Sequence, residues 1–259
     1  MEMLFSIKEN ANIASENVQM VDLELDDGLA TLTIDRPHAR NAIALDTMAE
    51  LEKVLDALDS SSGARALVIK GAGDKAFVSG GDLKELAAIR TTEEASAMAW
   101  RMRTICDRLA QFPAPVIAAL NGHAFGGGAE VAVAADIRVA ADDIKIAFNQ
   151  VSLEIMPAWG GAERLAALVG KGKALMLAGT GTVLDAAEAE RIGLVDRVVT
   201  RASFDESWQA LARSLANRPA GEIKRVIAGV SPDEAVAYFA RLWVGDEHWQ
   251  AADRVMRRR

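Results

Sequence analysis

The sequence predicts an α/β fold, because short apolar runs rich in β-branched residues alternate with segments of helical periodicity and glycines mark the junctions between them. Beyond Thr200 the pattern becomes almost purely helical. Residues 21–25 and Leu29–Ile34 alternate apolar with polar side chains, and Asp26-Asp27-Gly28 between them is a hairpin signal. Residues 47–58 place Met48, Leu51, Val54, Leu55 and Leu58 at helical spacing, with Thr47 and Glu50 at capping-box separation. Residues 66–70 read as a buried strand that Gly71-Ala72-Gly73-Asp74 breaks.

The rhythm continues through a mixed helical region at 82–109, a break at Pro113 and Pro115, a strand at Val116–Leu120, a helix at 128–135 and a strand at 137–140. From Phe204 the helical candidates are 204–217, 221–228 and 232–256. A boundary near Thr200 divides the chain into an N-terminal extension at 1–17, a core at 18–200 and a C-terminal helical region at 201–259. No sequence repeat with a period of roughly 20–50 residues stands out.

The 259 residues allow one large domain or one domain with a small appendage, and 51% hydrophobic content provides material for a sizeable core. A net charge of −8 repels phosphate backbones and anionic membranes, so nucleic acid is excluded as the expected partner. The single cysteine, Cys106, cannot form an intramolecular disulfide, and residues 1–12 lack the basic start and apolar run of a secretory signal. Charged residues and glycines interrupt every apolar stretch before the roughly 18–20 residues a membrane span needs. The expectation is a soluble, cytoplasmic protein that does not associate with membranes.

Several chemistries lack their markers. The three histidines, His38, His123 and His248, stand far apart in no metal-ligand arrangement. Ser79, in Val78-Ser79-Gly80-Gly81, lacks the glycine two positions before it that a nucleophile elbow requires. Gly71-Ala72-Gly73 lacks the third glycine of a dinucleotide fingerprint, and Gly170-Lys171-Gly172-Lys173 lies in a helix-like segment.

Two glycine-rich turns remain, Phe77-Val78-Ser79-Gly80-Gly81-Asp82-Leu83-Lys84 and Asn121-Gly122-His123-Ala124-Phe125-Gly126-Gly127-Gly128-Ala129-Glu130. Each is read as following a strand and opening a helix. A helix N-terminus leaves backbone N–H groups unpaired, and glycine lets an anionic oxygen approach them closely. Two such turns supply two convergent donors, an oxyanion hole suited to a thioester carbonyl becoming an enolate; one donor of this kind contributes about 2.7–4 kcal/mol of barrier. Tight turns or close helix-to-strand packing would leave the same glycine signature.

These two segments resemble the signature stretches of the crotonase (enoyl-CoA hydratase/isomerase) family, F-x-A-G-A-D-[LI] and N-G-x-A-x-G-G-G-x-E. The resemblance extends in order to Ile34-Asp35-Arg36-Pro37-His38-Ala39-Arg40-Asn41-Ala42, to Ala158-Trp159-Gly160-Gly161-Ala162-Glu163-Arg164-Leu165 and to residues 186–199. It implies a crotonase-like ββα spiral core with a C-terminal helical oligomerisation region, an acyl-CoA substrate and a homotrimer or dimer of trimers. Coenzyme A would be part of the substrate, with no separate cofactor and no metal. The resemblance assigns the thioester oxygen to the N–H groups of Gly81 and Gly127. It borders the CoA moiety with Ala39, Arg40, Ser79, Gly80, Asp82, Leu83, Lys84 and Gly126. Gly81 replaces the usual alanine without losing its N–H.

Glu130 lies three residues after Gly127, a spacing that puts both on one helix face, and it matches the family's first catalytic glutamate. A first-turn glutamate that merely complements the helix dipole is the other reading. The second glutamate is where the chain departs: aligned on Pro157 and Gly160-Gly161, Gln150 takes its place. An amide hydrogen-bonds but does not exchange a proton as a carboxylate does at neutral pH. Loss of such acid/base help, worth roughly 10²–10⁴ in rate, would slow a two-carboxylate hydration. Glu154 reads as a surface charge or a displaced carboxylate, Trp159 as packing or acyl-pocket lining, and Tyr238 as core packing or a reach toward a neighbouring site. The function expected is enoyl-CoA hydration, with a one-carboxylate relative (isomerase, decarboxylase or hydratase-lyase) or a CoA-ester binding protein as alternatives.

Overall fold

The computed structural model of the chain describes residues 19–61 and 63–257; the N-terminal extension at 1–17 lies outside them. β1 (Val21–Asp26) and β2 (Leu29–Ile34) pair antiparallel with Asp26 opposite Leu29, so Asp27 and Gly28 alone make the turn. Both have positive φ, 44° and 79°, the pair that matches the twist of a two-residue hairpin.

α1 (Leu45–Ser61) buries Met48, Leu51, Leu55 and Leu58, the face its periodicity marks out. Its expected capping box does not form. Thr47 sits inside the helix and accepts the Ala44 N–H at 3.3 Å, while Glu50 accepts the N–H groups of Met20 and Val21 at 2.7 and 2.9 Å. The unpaired donors at the head of β1 claim that carboxylate.

The chain continues through β3 (Ala66–Gly71), β4 (Ala76–Val78), α2 (Thr92–Gln111), β5 (Val116–Leu120), β6 (His123–Phe125), α3 (Gly127–Ala132), β7 (Ile137–Ala141) and β8 (Lys145–Ala147). Then come α4 (Gly161–Val169), α5 (Lys171–Thr180), β9 (Leu184–Asp185), α6 (Ala186–Arg191) and β10 (Arg197–Val199). A six-stranded sheet has the order β1-β2-β3-β5-β7-β10, parallel except for β1, and a four-stranded sheet has the order β4-β6-β8-β9. Each turn of the chain therefore lays one strand in the large sheet and the next in the small one: β3 then β4, β5 then β6, β7 then β8. The result is the ββα spiral, with strands such as β5 buried along their whole length.

The structure sets the bounds of the helical segments. The mixed helical region expected at 82–109 consists of a turn after Gly81, one tight helical turn at Leu86–Ala88, and α2, which starts at Thr92 behind a capping box of Thr91 and Glu94. The helix expected at 128–135 is α3, which begins one residue earlier and ends at Ala132. The segment holding Gly170 to Lys173 is split, because Gly170 ends α4 and starts α5.

α7 (Phe204–Ala216) returns to the core and buries Phe204, Trp208, Ala212 and Ala216. α8 (Ala220–Ile227) follows. The long helix expected at 232–256 is broken into α9 (Pro232–Trp243) and α10 (Asp246–Met256), with Gly245 in extended conformation between them. Neither of these two helices has a buried residue. Among the described residues no helix is long and apolar enough to cross a membrane.

Candidate active site

β4 and β6 are parallel neighbours, with Ala76 opposite His123 and Val78 opposite Ala124, so their C-terminal ends leave the small sheet side by side. Each runs into one of the glycine turns. Gly80 has φ of 102°, and a side-chain carbon there would lie 3.3 Å from both Gly127 N and Phe125 O, so the two turns meet backbone to backbone.

Among the described residues, neither the Gly81 N–H nor the Gly127 N–H donates a hydrogen bond. Gly127 is the first residue of α3, where a helix leaves its N–H unpaired. Gly81 is free for a different reason, because its turn does not open a helix as expected. Ile43 donates its N–H to Gly80 O and accepts the Asp82 N–H, both at 2.8 Å, leaving the intervening Gly81 N–H outside the bridge. Asp82 Oδ1 then accepts the N–H groups of Lys84 and Glu85 at 3.2 and 3.4 Å, a side-chain turn that competes with helix formation.

Glu130 sits in the first turn of α3 with 2% of its surface exposed. Its Oε2 accepts the N–H groups of Trp159 and Gly161 at 2.8 and 2.9 Å, and its Oε1 accepts Gln150 Nε2–H at 2.9 Å. A side-chain carbon on Gly161 would stand 2.3 Å from Glu130 Cγ, so only glycine allows this approach. Burial pushes the Glu130 carboxyl above its ordinary value, and the Gly161, Trp159 and Gln150 hydrogen bonds oppose that rise. Gln150 is itself buried, and its Oε1 has no hydrogen-bond partner among the described residues.

The sequence profile of the enoyl-CoA hydratase/isomerase family matches residues 24–233. The chain belongs to the enoyl-CoA hydratase/isomerase family. A crotonyl-CoA hydratase of Syntrophomonas wolfei is 40% identical over 179 residues, covering 68% of each chain. A short-chain-enoyl-CoA hydratase of Clostridium acetobutylicum is 36% identical over 204 residues, covering 79% of this chain and 78% of that one. The crystal structure of enoyl-CoA hydratase from Thermoplasma volcanium superposes with a TM-score of 0.81 at 32% identity, over 91% of this chain and 97% of that chain.

In this family member a groove of about 710 Å³ runs past Gly81, lined by Ala39, Arg40, Ser79, Asp82, Leu83 and Lys84 together with Arg36 and His38. Gly80 and Gly126 are not on its lining; Gly126 instead donates its N–H to Ala147 O at 2.9 Å at the head of α3. Glu130, Gly127 and Gln150 lie deeper, off the groove wall. The glycine turns serve both readings at different residues. A side-chain carbon on Gly128 would meet Val78 O at 1.8 Å, which is close helix-to-strand packing, whereas Gly81 and Gly127 hold the unspent donors.

Trp159 packs its ring against Gly127, 2.1 Å from where a side-chain carbon would stand, while its N–H holds Glu130. Glu154 is exposed, and Tyr238 is half-buried between the guanidinium groups of Arg225 and Arg241, at 5.8 and 5.3 Å, rather than in the core. Among the described residues no group of three or more His, Cys, Asp or Glu side chains could hold a metal ion.

The sequence reading missed two features. The backbone N–H groups of Trp159 and Gly161 carry no sequence signal beyond the adjacent glycines. Arg36, quoted only as part of a motif, is 5% exposed and forms an ion pair with Asp82 at 3.0 Å.

Proposed function

We propose that the protein adds water to a trans-2-enoyl-CoA, with the Gly81 and Gly127 N–H groups holding the thioester oxygen and Glu130 moving the proton. The observation that carries this reading is the juxtaposition of two unspent backbone donors with a buried carboxylate one helical turn away. Water loses a proton to Glu130 as its oxygen bonds to C3, the π electrons move onto the thioester oxygen, and the proton returns from Glu130 to C2 as the enolate collapses. The three donors on Glu130 fix where that proton is held: Oε2 is filled by the Trp159 and Gly161 N–H groups, and Oε1, with Gln150 as its one donor, retains acceptor capacity for a water. Coenzyme A enters as part of the substrate, its body along the groove bordered by Ala39, Arg40, Ser79, Leu83 and Lys84. The two hydratase relatives support the same reaction class.

Gln150 favours a second reading, a one-carboxylate isomerase, decarboxylase or hydratase-lyase on the same scaffold, because no second carboxylate touches Glu130. Turnover of crotonyl-CoA and a longer trans-2-enoyl-CoA, followed by loss of the conjugated enoyl absorbance, separates the two. Hydration that is abolished in Glu130→Gln establishes the first reading; CoA-ester binding without hydration moves the assignment to the second. We further place the protein in the cytoplasm, as a homotrimer or dimer of trimers.

A further inference from the structure

Building on the reading of the Gly81 N–H as an oxyanion donor, we propose that Arg36 and Asp82 form a clamp that positions that donor. The two donors are held by different means. Gly127 is fixed by α3, but no helix opens at Gly81, whose backbone is tied to the rest of the fold through the Ile43 bridge on either side of it. Two consecutive glycines, 80 and 81, put no side chain in the turn to restrict it.

Arg36 locks both flanks of that bridge from a single nitrogen. Its Nη1 donates to Ala42 O at 2.6 Å, next to Ile43, and to Asp82 Oδ2 at 3.0 Å, next to Gly81. Nη2 donates to Glu85 Oε1 at 2.6 Å, in the turn that Asp82 Oδ1 closes. The Arg36 N–H donates to Asn41 Oδ1 at 3.0 Å, and Asn41 Nδ2 reaches Ala72 O and Ala76 O at 3.0 and 2.8 Å. The clamp is thereby anchored to the loop that leads into β4. Side-chain exposures of 6% for Arg36 and 12% for Asp82 keep the pair out of the screened surface regime. Partial burial raises the Asp82 carboxyl, but hydrogen bonds from Arg36 and the Glu85 N–H outweigh it and hold the group below its ordinary value. The three-acceptor pattern uses the planar fork of arginine, which lysine lacks.

The test reads donor alignment directly. Cinnamoyl-CoA, a conjugated thioester, absorbs further to the red when its carbonyl is polarised, so the wild type is expected to shift its band on binding. Asp82→Asn, nearly isosteric, and Arg36→Lys, which keeps the charge, are both expected to bind cinnamoyl-CoA yet lose most of that shift. Their kcat with crotonyl-CoA should fall roughly 10- to 10²-fold, the scale of an ångström-level misplacement, a larger effect than any rise in KM from their place on the groove wall. The double variant should fall no further than either single one, since the pair acts as a unit. Thermal unfolding identifies a variant that fails to fold, and the other then carries the measurement. A full red shift and wild-type kcat in a folded variant would overturn the clamp. No red shift in the wild type would instead overturn the oxyanion reading on which the clamp depends.

Discussion

Gln150 Nε2 donates to Glu130 Oε1 at 2.9 Å, so the residue that the family resemblance sets in place of a second glutamate is in direct contact with Glu130. The amide is spent holding a carboxylate, and its own Oε1 is left buried without a partner. In the proposed mechanism that arrangement leaves Glu130 to carry the proton alone, since an amide exchanges none.

Gln150→Glu tests what the amide withholds. Two carboxyl groups at this separation cannot both ionise, so the pair would share a proton and one member would be available as an acid at neutral pH. Hydration of crotonyl-CoA, followed by enoyl absorbance, is expected to rise by roughly 10²-fold or more. A fall in activity would show that the native reaction uses the amide.

The raised Glu130 carboxyl makes a pH-dependent prediction of definite sign. Its folded value lies above the ordinary 4.5, so the folded state binds the proton more tightly than the unfolded chain. The stabilisation from this group is complete below 4.5 and is lost as pH rises through the folded value. In the proposed mechanism catalysis runs the other way, since Glu130 must be ionised to take a proton from water. The acidic limb of kcat/KM is therefore expected above 4.5, and the urea midpoint of Glu130→Gln should gain on that of the wild type as pH rises through the same window. Midpoints that keep a constant difference across pH would refute this.

How far the sequence reveals this site is clearest in one motif with two fates. Thr91 with Glu94 and Thr47 with Glu50 have the same spacing; the first pair caps α2, while the second loses its glutamate to the N–H groups of Met20 and Val21. Local chemistry writes the cap, and a partner about thirty residues distant cancels it. The hairpin at Asp27-Gly28 and the two glycine turns were legible because φ and close approach are local demands on residue type. The freedom of the Gly81 N–H was legible as an outcome but not in its cause, which is Ile43 on another part of the chain. The spiral was legible only through resemblance. Its strands begin at Ala66, Val116 and Ile137, too unevenly spaced for a sequence repeat to register.

Glycine substitutions separate packing from tolerance. Gly128→Ala drives a carbon to 1.8 Å from Val78 O, a backbone atom that cannot rotate away, and should lower stability by at least about 1–3 kcal/mol. Gly172, inside α5, has nothing within 4 Å of its virtual side chain. Gly172 is the second residue of α5, where propensity counts for less than mid-helix, so Gly172→Ala should be neutral or stabilise by up to about 0.5 kcal/mol. Thermal melts of both variants check the pair, and equal effects would remove the steric account of Gly128.

The C-terminal hairpin makes the strongest case for assembly. α9 and α10 bury nothing, yet Phe239, Trp243 and Trp249 are 61%, 46% and 47% exposed. Their rings lie against one another, Phe239 tilted on Trp243 at 5.5 Å and Trp249 edge-on to Trp243 at 5.7 Å, so they form one apolar surface rather than scattered residues. Soluble monomers seldom leave such a contiguous patch in water, and a second copy of the chain is the partner that the proposed trimer supplies. Sedimentation of the wild type should give a trimer or hexamer. Phe239→Glu combined with Trp249→Glu should give monomers with unchanged core helicity, because neither side chain is part of the buried core. A wild type that sediments as a monomer at micromolar concentration would dismiss the assembly, and the exposed cluster would then lack a partner of its own kind.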